Sequence, residues 1–295
     1  MLIAVKLKIA AAVATCVASP AAVSFLCGPA LAPAGAAIDP PALVEIAPGN
    51  LHYWPPGEFT RGGRTVNAAQ QVIAFHRSFA IMQHEVTVAE YARCVADGAC
   101  AVRTGAPDNP NLPAVMASWR DATAYAAWLS RKTGAHYRLP TDAEWTFAAG
   151  DRAPDETPLV LDSDDPARNW LARYNREASR DPGIKQPQPV GHFGRNARGL
   201  MDVSGNVWEW TSTCFSRTIV DTHGRLTSTQ TENCGVRVVE GPHRTYISDF
   251  IRDARAGGCS VGTPPSNLGF RLVRDSGSAW FSTALLQRLA ALTNS

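Results

Sequence analysis

Residues 199–210 read GLMDVSGNVWEW, and no other stretch of the chain says as much about its fold. In an extended segment successive side chains point to opposite faces, so Trp208 and Trp210 would share one face and Glu209 would lie on the other. Two tryptophan rings supply a large apolar area for burial. We therefore expect this segment to bury its tryptophans while it presents a carboxylate.

A cation site is one interpretation of the same stretch. Asp202 lies seven residues before Glu209, and Gly205 permits a sharp turn between them. Two carboxylates and the backbone carbonyls of such a turn suit a hard cation of the calcium type. The alternative is structural, with Asp202 in a turn and Glu209 in a salt bridge. The sequence leaves both interpretations open.

Three segments between residues 87 and 150 begin with a capping box, in which a hydroxyl group and a carboxyl group three residues later each satisfy a backbone donor. The three pairs are Thr87 with Glu90, Ser118 with Asp121 and Thr141 with Glu144. We predict a helix after each pair. The first should reach about Ala96, the second should end at Gly134 and the third at Gly150.

Beyond Gly150 the chain changes character. Pro, Gly, Asn and Asp become frequent and apolar runs are short, so we predict long loops and brief strands. Alternation predicts strands at residues 236–239 and 270–273. A domain with so much irregular chain needs other constraints, and disulfides and bound metal ions are the usual ones.

The N-terminus has the layout of a secretory signal peptide. Two lysines precede a stretch from residue 9 to residue 37 that has no charged side chain. Small residues at positions 34–36 (Ala-Gly-Ala) mark a cleavage site, so we assign residues 1–36 to the signal peptide and expect a periplasmic or secreted protein. The uncharged run also has the length of a membrane anchor, which is the alternative. After cleavage we expect no transmembrane helix.

The formal charge argues against a nucleic-acid partner. The chain has 28 Lys and Arg against 26 Asp and Glu, and removal of residues 1–36 takes away two lysines and no acidic residue. The remaining chain is formally neutral. It has no single-sign field that would hold nucleic acid or an acidic membrane surface.

Seven cysteines occur in the chain, and two of them precede residue 37. Thiols of exported proteins tend to pair. Cys94 and Cys100 are the closest pair in sequence, and a bridge between Cys214 and Cys234 would restrain the polar, Thr-rich loop between them. Because five is an odd number, one thiol remains. Cys259 is the candidate, either as a reactive thiol or as a buried cysteine without a role.

The last segment, residues 276–295, is a C-terminal amphipathic tail. Its aromatic residues and leucines recur at roughly helical spacing. We expect this stripe to fold back on its own domain, and docking on a partner or a membrane surface is the alternative.

Three segments, in order, resemble the formylglycine-generating enzyme family, whose members are also called sulfatase-modifying factors. They are YRLPTDAEW at residues 137–145, GLMDVSGNVWEW at 199–210 and SNLGFR at 266–271. The sequence HEVT at residues 84–87 also fits. The resemblance implies an α+β domain over residues 37–275 with the family's atypical, loop-rich C-type lectin fold.

The resemblance also implies two structural calcium sites. In the first, Asp202 and Glu209 provide side chains, and Gly205 and Val207 provide backbone carbonyls. The family more often has Asn where this chain has Asp202. The positions that match the second site are Asn169, Trp170 and Asp181, and the sequence between them departs from the family's glycine-rich run.

Family enzymes oxidise a substrate cysteine to formylglycine with oxygen and a copper ion that two cysteines hold. Residues 235–258, where that pair belongs, contain no cysteine, and Pro242 and Ile247 occupy the matching positions. A cuprous ion needs thiolate or thioether ligands. We therefore expect this chain not to generate formylglycine by the family mechanism.

Polar residues stand where the family has its catalytic cleft. They are His243, Tyr246, Asp249 and Arg252. His243 and Asp249 could supply part of an iron or copper site, or a proton-transfer pair. A structural or solvent-facing histidine is the alternative.

Hypotheses from three functional classes remain. The chain resembles exported maturation or tailoring enzymes such as the pyoverdine-maturation relatives, which also do without the cysteine pair; a metal-dependent oxidoreductase is one form of this hypothesis. It could instead be a non-catalytic, calcium-stabilised module that holds a small molecule, peptide or protein in the lectin-like cleft, for example as an accessory to a periplasmic nitrite reductase. Sulfoxide synthases of the ergothioneine type contain a similar domain but take their iron ligands from an additional helical domain, which we do not expect here.

Overall fold

We describe the fold from a computed structural model of the chain. The described residues are 38–103, 105–158, 168, 171–172, 175–176, 179, 186–203, 205–249 and 268–275. The chain divides into Met1–Ala36 and Ala37–Ser295, and every described residue belongs to the second unit. The expected signal peptide and the tail at 276–295 lie outside the described residues. So do five residues that the sequence singled out, namely Asn169, Trp170, Asp181, Arg252 and Cys259.

Three α-helices and twelve strands have both ends in the described part of the chain, and residues 168, 171–172, 175–176 and 179 are helical as well. The helices are α1 (Val88–Ala96), α2 (Trp119–Thr133) and α3 (Asp142–Ala149), and a short 3-10 turn, Gly150–Arg152, follows α3. The strands are β1 (Leu43–Ile46), β2 (Gly49–Tyr53), β3 (Glu58–Arg61), β4 (Arg64–Val66), β5 (Gln71–Phe75), β6 (Phe79–Met82), β7 (Tyr137–Arg138), β8 (Trp208–Val220), β9 (Leu226–Glu240), β10 (Thr245–Ser248), β11 (Leu268–Gly269) and β12 (Val273–Arg274).

The strands form three sheets. A four-stranded sheet has the order β1-β6-β12-β7. A six-stranded sheet has the order β10-β9-β8-β3-β4, and β11 pairs with β8 in parallel. β2 and β5 form a separate antiparallel pair. Helices and sheets together make the mixed α+β architecture that the sequence predicts.

All three predicted helices are confirmed. Each begins with the expected capping box, in which the hydroxyl accepts from the third helical N–H and the carboxyl accepts from the cap N–H. α2 is followed by Gly134 with a φ of 72°, the left-handed conformation that glycine adopts without strain. Local hydrogen bonding therefore sets these helix boundaries.

The prediction of brief strands beyond Gly150 is confirmed for β10, β11 and β12 and is wrong for β8 and β9. β8 and β9 form an antiparallel hairpin of 13 and 15 residues. The segment between Cys214 and Cys234 that we expected to be a loop is the outer part of this hairpin. Its β9 side chains are exposed and mostly Thr, Ser, Gln and Asn, so they give no apolar alternation. Hydrogen bonding between backbone groups of two strands does not require apolar alternation, and threonine has a high propensity for strands.

The strand predicted at residues 236–239 is confirmed within β9, whereas the one at 270–273 is only partly right. The preceding strand β11 pairs with β8, and β12 pairs with β6 and β7. The chain leaves one sheet and enters the other over Phe270–Leu272, so these buried residues join no ladder. Their apolar character reflects burial between two sheets rather than a strand.

The tryptophans and Glu209 face different parts of the interior. Trp208 and Trp210 pack in a large apolar core with Tyr125 and other residues of α1 and α2. A second core contains Trp145 of α3, and the indole of Trp145 donates to the Glu209 carboxylate at 3.0 Å. The expected division of this segment between buried rings and a carboxylate is confirmed, although Glu209 is buried as well.

Both expected disulfides are present. Cys94–Cys100 joins the last turn of α1 to the chain that follows it, and Cys214–Cys234 crosses the β8–β9 hairpin. Two bridges restrain the folded domain in the way that the irregular composition suggests. None of the described helices combines the length and the apolarity that a membrane crossing demands.

Candidate functional site

Arg271 and Glu209 form a buried ion pair beneath the stretch 199–210. The Arg271 guanidinium donates two parallel hydrogen bonds to the Glu209 carboxylate, at 2.6 and 2.7 Å. Its Nη2 also donates to the carbonyl oxygen of Met201 at 2.9 Å. The salt bridge that the sequence left open as a role for Glu209 is therefore present.

Glu85 and Asp202 lie close to this pair, and we call Glu85, Asp202, Glu209 and Arg271 the Arg271 cluster. Glu85 is fully buried, and the nearest oxygen of its carboxylate is 3.8 Å from Arg271 Nη2. Neither carboxylate oxygen of Glu85 has a hydrogen-bond partner among the described residues. Burial raises the pKa of Glu85 well above its usual value, and the negative charges of Glu209 and Asp202 add to this effect while Arg271 opposes it.

Asp202 occupies a turn, as the structural interpretation of the stretch requires. Its φ is 62°, in the left-handed region that Asp and Asn tolerate better than most residues. Its carboxylate accepts hydrogen bonds from the backbone N–H groups of Gly191 and Phe193, the second at 2.8 Å. Asp202 thereby ties the turn to the loop that precedes it.

The Arg271 cluster has donor chemistry that suits calcium. Three buried carboxylates share one guanidinium, so a divalent cation would balance their charge, and the oxygens of Glu85 still need a partner. Gly205 and Val207 lie on the chain between Asp202, which occupies the turn, and Glu209, which belongs to β8. Because Glu209 accepts from Arg271, calcium would share its oxygens with the guanidinium. The calcium site remains a prediction, and the second one, at Asn169, Trp170 and Asp181, lies outside the described residues.

A second buried group of charges surrounds Arg244, and we call Tyr53, Asp142, Glu240 and Arg244 the Arg244 cluster. Arg244 Nε donates to Glu240 at 2.8 Å and to Asp142 at 3.2 Å, and Nη2 lies 3.1 Å from the second Asp142 oxygen. The Tyr53 hydroxyl donates to Asp142. All three charged side chains of the cluster are buried. The cluster joins β2, the start of α3, the end of β9 and the turn before β10.

Burial and neighbouring charge shift the acid–base properties of this cluster. Burial raises the pKa of Glu240 well above its usual value, and the Asp142 carboxylate raises it further. One oxygen of Glu240 is buried without a partner among the described residues. Burial also raises the pKa of Tyr53, with Asp142 acting in the same direction. Desolvation disfavours charge on Arg244, but Asp142 and Glu240 outweigh it and raise its pKa.

A cavity of about 210 Å³ opens beside Arg244. Its lining includes Trp54, Glu156, His243, Arg244 and Tyr246. The Glu156 carboxylate accepts a hydrogen bond from the backbone N–H of Arg244 at 3.1 Å. The lining therefore offers an indole ring and a carboxylate to a bound molecule, beside an Arg244 guanidinium that is 6% exposed and is held by Asp142, Glu240 and the Trp54 carbonyl oxygen.

His243 and Tyr246 both line this cavity, and their predicted role in a catalytic cleft remains a prediction. His243 Nδ1 lies 3.2 Å from the Arg244 carbonyl oxygen, and its ring packs edge-on against Trp208 with centroids 5.3 Å apart. The Tyr246 hydroxyl accepts from the backbone N–H of Gly57 at 2.6 Å. Burial raises the pKa of Tyr246 to about 12, so its hydroxyl is neutral at physiological pH.

Asp249 is not among the residues that line the cavity. It lies after β10, where its carbonyl oxygen accepts from the Trp119 N–H at 3.0 Å and its carboxylate lies 3.8 Å from Arg120. The structure thus seats Asp249 at the start of α2 and does not bring it into the lining with His243. The fourth predicted residue of the cleft, Arg252, lies outside the described residues.

Among the described residues that line this cavity there is no cysteine that could provide a sulfur ligand for copper. The described residues contain one group of three metal-ligating side chains with ligand atoms within 4.8 Å of one another, and it consists of Cys214, Glu232 and Cys234. Its two sulfurs are bonded to each other and are not thiolates. The described residues therefore do not fit a bis-thiolate copper centre.

Sequence reasoning missed the charged residues that pair most tightly. Glu85, Asp142 and Arg271 stand inside the blocks that carry the family resemblance, but their partners are distant in sequence. One usable signal is a charged residue beside an apolar run. Glu240 follows two valines, and Arg271 stands between Phe270 and Leu272. Such a position predicts a buried charge, and a buried charge requires a partner.

Known proteins resemble the chain in sequence. The family model described as a sulfatase-modifying factor enzyme 1-like domain matches residues 35–276. A formylglycine-generating enzyme of Streptomyces coelicolor is 34% identical over 195 residues, which cover 60% of this chain and 58% of that protein. An inactive C-alpha-formylglycine-generating enzyme 2 of Mus musculus is 30% identical over 182 residues, which cover 59% and 53%. The chain thus spans little more than half the length of these relatives.

A solved structure shares the fold. It is that of PvdO from Pseudomonas aeruginosa, with a TM-score of 0.51 and 24% sequence identity over 80% of this chain and 94% of that one. At this identity the likeness concerns the fold alone, and it agrees with the mixed sheets and helices of the described residues. Since the family model covers most of the chain, the protein belongs to the family of sulfatase-modifying factor enzyme 1-like domains.

Proposed function

We propose that this protein is an exported maturation or tailoring factor that binds a small molecule or a segment of a client protein in the cavity beside Arg244, and that it acts without the copper and cysteine pair of formylglycine generation. The observation that carries this proposal is the chemistry of the cavity lining. Its described lining includes His243, Tyr246 and Glu156 and no cysteine, whereas a bis-thiolate centre would need two sulfurs. Four of the five cysteines after residue 36 are bonded in two disulfides elsewhere in the domain.

The lining supports polar recognition combined with proton transfer. Arg244 keeps its positive charge because the neighbouring Asp142 carboxylate raises its pKa against the effect of burial, so it provides a fixed cation at the cavity wall. Glu156 and Trp54 provide a carboxylate and an apolar surface. A ligand with both a polar group and an apolar or aromatic part complements these residues. His243 provides the lining with an imidazole, the side chain that proteins use most often for general acid–base catalysis.

Export is part of the same proposal. Two disulfides in one domain are typical of oxidising compartments such as the periplasm or the exterior. The lysines and the uncharged run before residue 37 have the pattern of a secretory signal peptide. Together they support a periplasmic or secreted location.

Calcium has a structural role in the proposal. Asp202, Gly205, Val207 and Glu209 would hold it, and the ion would neutralise the excess carboxylates of the Arg271 cluster. It would stabilise the turn at 202–207 and would take no part in the chemistry of the cavity beside Arg244. No described cluster of thiols or histidines supports iron or copper.

A second candidate function is a non-catalytic, calcium-stabilised binding module that assists a periplasmic redox enzyme, for example a nitrite reductase. The hydrogen bonds around the cavity favour it. His243 contacts the neighbouring Arg244 carbonyl, Tyr246 holds Gly57, and Arg244 is fixed by its carboxylates. Groups with structural partners of this kind can shape a binding surface without reacting.

The first experiment tests the absence of formylglycine generation. The purified chain is incubated with oxygen, a cuprous salt and a cysteine-containing sulfatase peptide, and mass spectrometry follows the aldehyde. We expect no conversion, whereas an active formylglycine-generating enzyme in parallel should convert the peptide. Conversion that persists after repurification and disappears in Cys259→Ser would overturn the proposal.

The second experiment separates the two candidate functions. Exported proteins and small molecules of a deletion strain are compared by mass spectrometry with those of strains that express the wild type, His243→Ala with Glu156→Gln, or Asp249→Ala. A maturation factor predicts an unprocessed molecule that accumulates in the deletion strain and in the cavity double variant, while Asp249→Ala restores processing. If no molecule differs covalently between the strains and a redox enzyme copurifies with this chain, the result supports the binding module instead.

A further inference from the structure

The two disulfides differ in their exposure to solvent. Cys94 is fully buried and Cys100 is 9% exposed, so that bridge is enclosed by the core around α1 and α2. Cys234 is exposed on the outer part of β9, and Cys214 is half-buried on β8. A thiol in solution can therefore reach Cys234 and cannot reach Cys94.

A guanidinium contacts the inner sulfur of the exposed bridge. Arg237 Nη1 lies 2.9 Å from Cys214 Sγ and donates to the Ser212 carbonyl oxygen at 2.7 Å. The guanidinium also stacks on the Trp119 ring, 4.0 Å from its centroid, which holds it in place. Burial lowers the pKa of Arg237, and the carboxylates of Asp249 and Glu232 oppose this effect. Its Nε is buried without a hydrogen-bond partner among the described residues.

This contact favours the reduced form of the bridge. A disulfide sulfur is a weak acceptor, whereas a thiolate is a strong one that a neighbouring cation stabilises. Arg237 therefore gains more from a Cys214 thiolate than from the bonded sulfur. Stabilisation of the reduced form makes a disulfide a better oxidant and makes its inner sulfur a better leaving group.

We propose that Cys214–Cys234 is a thiol–disulfide exchange site that oxidises dithiols of exported protein chains. A thiolate of the partner attacks Sγ of Cys234, the bond between the two sulfurs breaks, and its electron pair stays on Cys214 as a thiolate against Arg237. The second partner thiolate then attacks its own sulfur in the mixed disulfide and releases Cys234 as a thiolate. The partner loses two electrons and forms a disulfide, and the bridge gains them and becomes a dithiol.

The surroundings of Cys214 leave room for a partner chain. A cavity of about 440 Å³ is lined by Cys214, Glu232, Phe59 and Tyr53, together with small polar residues of the hairpin. The attacked residue, Cys234, is not among the lining residues but is exposed to solvent at the other end of the bridge. This cavity differs from the one beside His243, so the exchange site goes beyond the function proposed for that cavity. An unfolded or flexible segment of a partner chain suits this surface of polar and apolar side chains, because the cysteines of such a segment are accessible.

The first test measures the equilibrium of both bridges in the full-length protein. The protein is equilibrated in glutathione buffers of graded ratio, quenched with an alkylating agent and digested, and each cysteine is quantified by mass spectrometry. We expect the equilibrium constant for reduction of Cys214–Cys234 to exceed that of Cys94–Cys100 at least tenfold, which corresponds to about 30 mV. Equal constants for the two bridges would overturn the proposal.

Substitutions at Arg237 provide a matched series. Arg237→Gln removes the charge and should make Cys214–Cys234 harder to reduce, with a slower and more alkaline alkylation profile for reduced Cys214, while Arg237→Lys should keep part of the effect. The Cys94–Cys100 bridge of the same molecules is the internal control for folding. An Arg237→Gln variant with an unchanged potential and an unchanged alkylation profile contradicts the role assigned to the guanidinium.

The last test identifies the attacked sulfur and the transfer itself. Wild-type protein trapped with a small excess of reduced glutathione should carry the adduct on Cys234, and an adduct on Cys214 would refute the direction of attack. A reduced two-cysteine peptide should become oxidised by one equivalent of wild type or of a Cys94→Ser, Cys100→Ser variant. It should stay reduced with Cys214→Ser, Cys234→Ser, and oxidation by that variant would also refute the proposal.

Discussion

Arg271 connects the two large sheets by holding Glu209 of β8 through two parallel hydrogen bonds between buried side chains. Arg271 lies on the crossing between β11, which pairs with β8, and β12, which pairs with β6. The same guanidinium donates to Met201 at the start of the turn that contains Asp202. One side chain therefore fixes the sheet crossing and the predicted calcium turn together.

Arg271→Met should be strongly destabilising, because it leaves the buried carboxylates of Glu209 and Glu85 without a cation. Removal of one partner of a buried pair costs about 3–5 kcal/mol. Chemical denaturation in calcium-free buffer measures the free energy of unfolding. Arg217→Met is the control because the pair of Arg217 with Glu58 is half-exposed, and we expect no resolvable change there. A similar loss in both variants would contradict the assigned role of Arg271.

Calcium should raise the thermal midpoint of the wild type. Binding to the folded state alone stabilises it by about 2.7 kcal/mol when free calcium exceeds the dissociation constant about a hundredfold. Asp202→Ala should abolish this response, whereas Asp202→Asn should retain it, because Asn keeps an oxygen ligand and tolerates the positive φ. Calorimetry with calcium, and with magnesium for comparison, measures the shift. If calcium does not change the thermal midpoint of the wild type, the calcium site is not part of the proposed function.

Stability should depend on pH through Glu240. Its pKa is raised above the usual 4.5 by burial and by Asp142, so the folded state keeps a proton that the unfolded chain releases. The contribution of this carboxyl group to stability is therefore full below about pH 4.5 and is lost as the pH rises towards its folded pKa.

Glu240→Gln tests this dependence because the amide stays neutral at every pH. The difference in unfolding free energy between the variant and the wild type should move in favour of the variant as the pH rises above 4.5. Exposed Glu45 is the control position, and Glu45→Gln should show no such trend. A pH-independent difference for Glu240→Gln would show that folding does not raise the pKa of this group.

Gly57→Ala should weaken the wall of the cavity beside Arg244. Gly57 has a φ of 118°, and an added Cβ would lie 2.5 Å from the Ser216 carbonyl oxygen. Backbone strain and steric overlap together predict that the free energy of unfolding, measured by chemical denaturation, falls by about 2–5 kcal/mol. Gly62→Ala is matched to it, since Gly62 has a φ of 57° but nothing within 4 Å of the added atom. The control should lose about 1–2 kcal/mol, and equal losses would show that packing at Gly57 is unimportant.

Helices were predictable because the groups that start and stop them are neighbours in sequence. Thr87 and Glu90 complete the first capping box within one turn, and Gly134 ends α2 with its own backbone angle. The long hairpin was not predictable in the same way. Its outer β9 segment is polar and exposed, so the sequence there has no apolar period, and only pairing with β8 makes it a strand.

In the candidate sites, too, some residues could be predicted from the sequence and others depend on contacts between distant parts of the chain. His243 and Tyr246 were expected in one cleft from their place in the family pattern, and both line the cavity beside Arg244. Asp249 stands only three residues after Tyr246, but it lies beyond the end of β10 and its carboxylate is near Arg120 of α2 rather than in the cavity. Asp142 approaches Arg244 from 102 residues away, and no spacing rule relates two such positions.

The sequence by itself determined the family, the three helices, the two disulfide pairs and the aromatic side of the segment 199–210, since each depends on residues close together or on cysteines that have few partners to choose from. Only the tertiary structure decided which charges are buried together. It placed Glu85 and Glu209 against Arg271, and Asp142 and Glu240 against Arg244, because a buried ion takes whichever opposite charge the folded chain brings within a few ångströms. That contact depends on how the sheets and helices pack, and it leaves no local pattern in the chain.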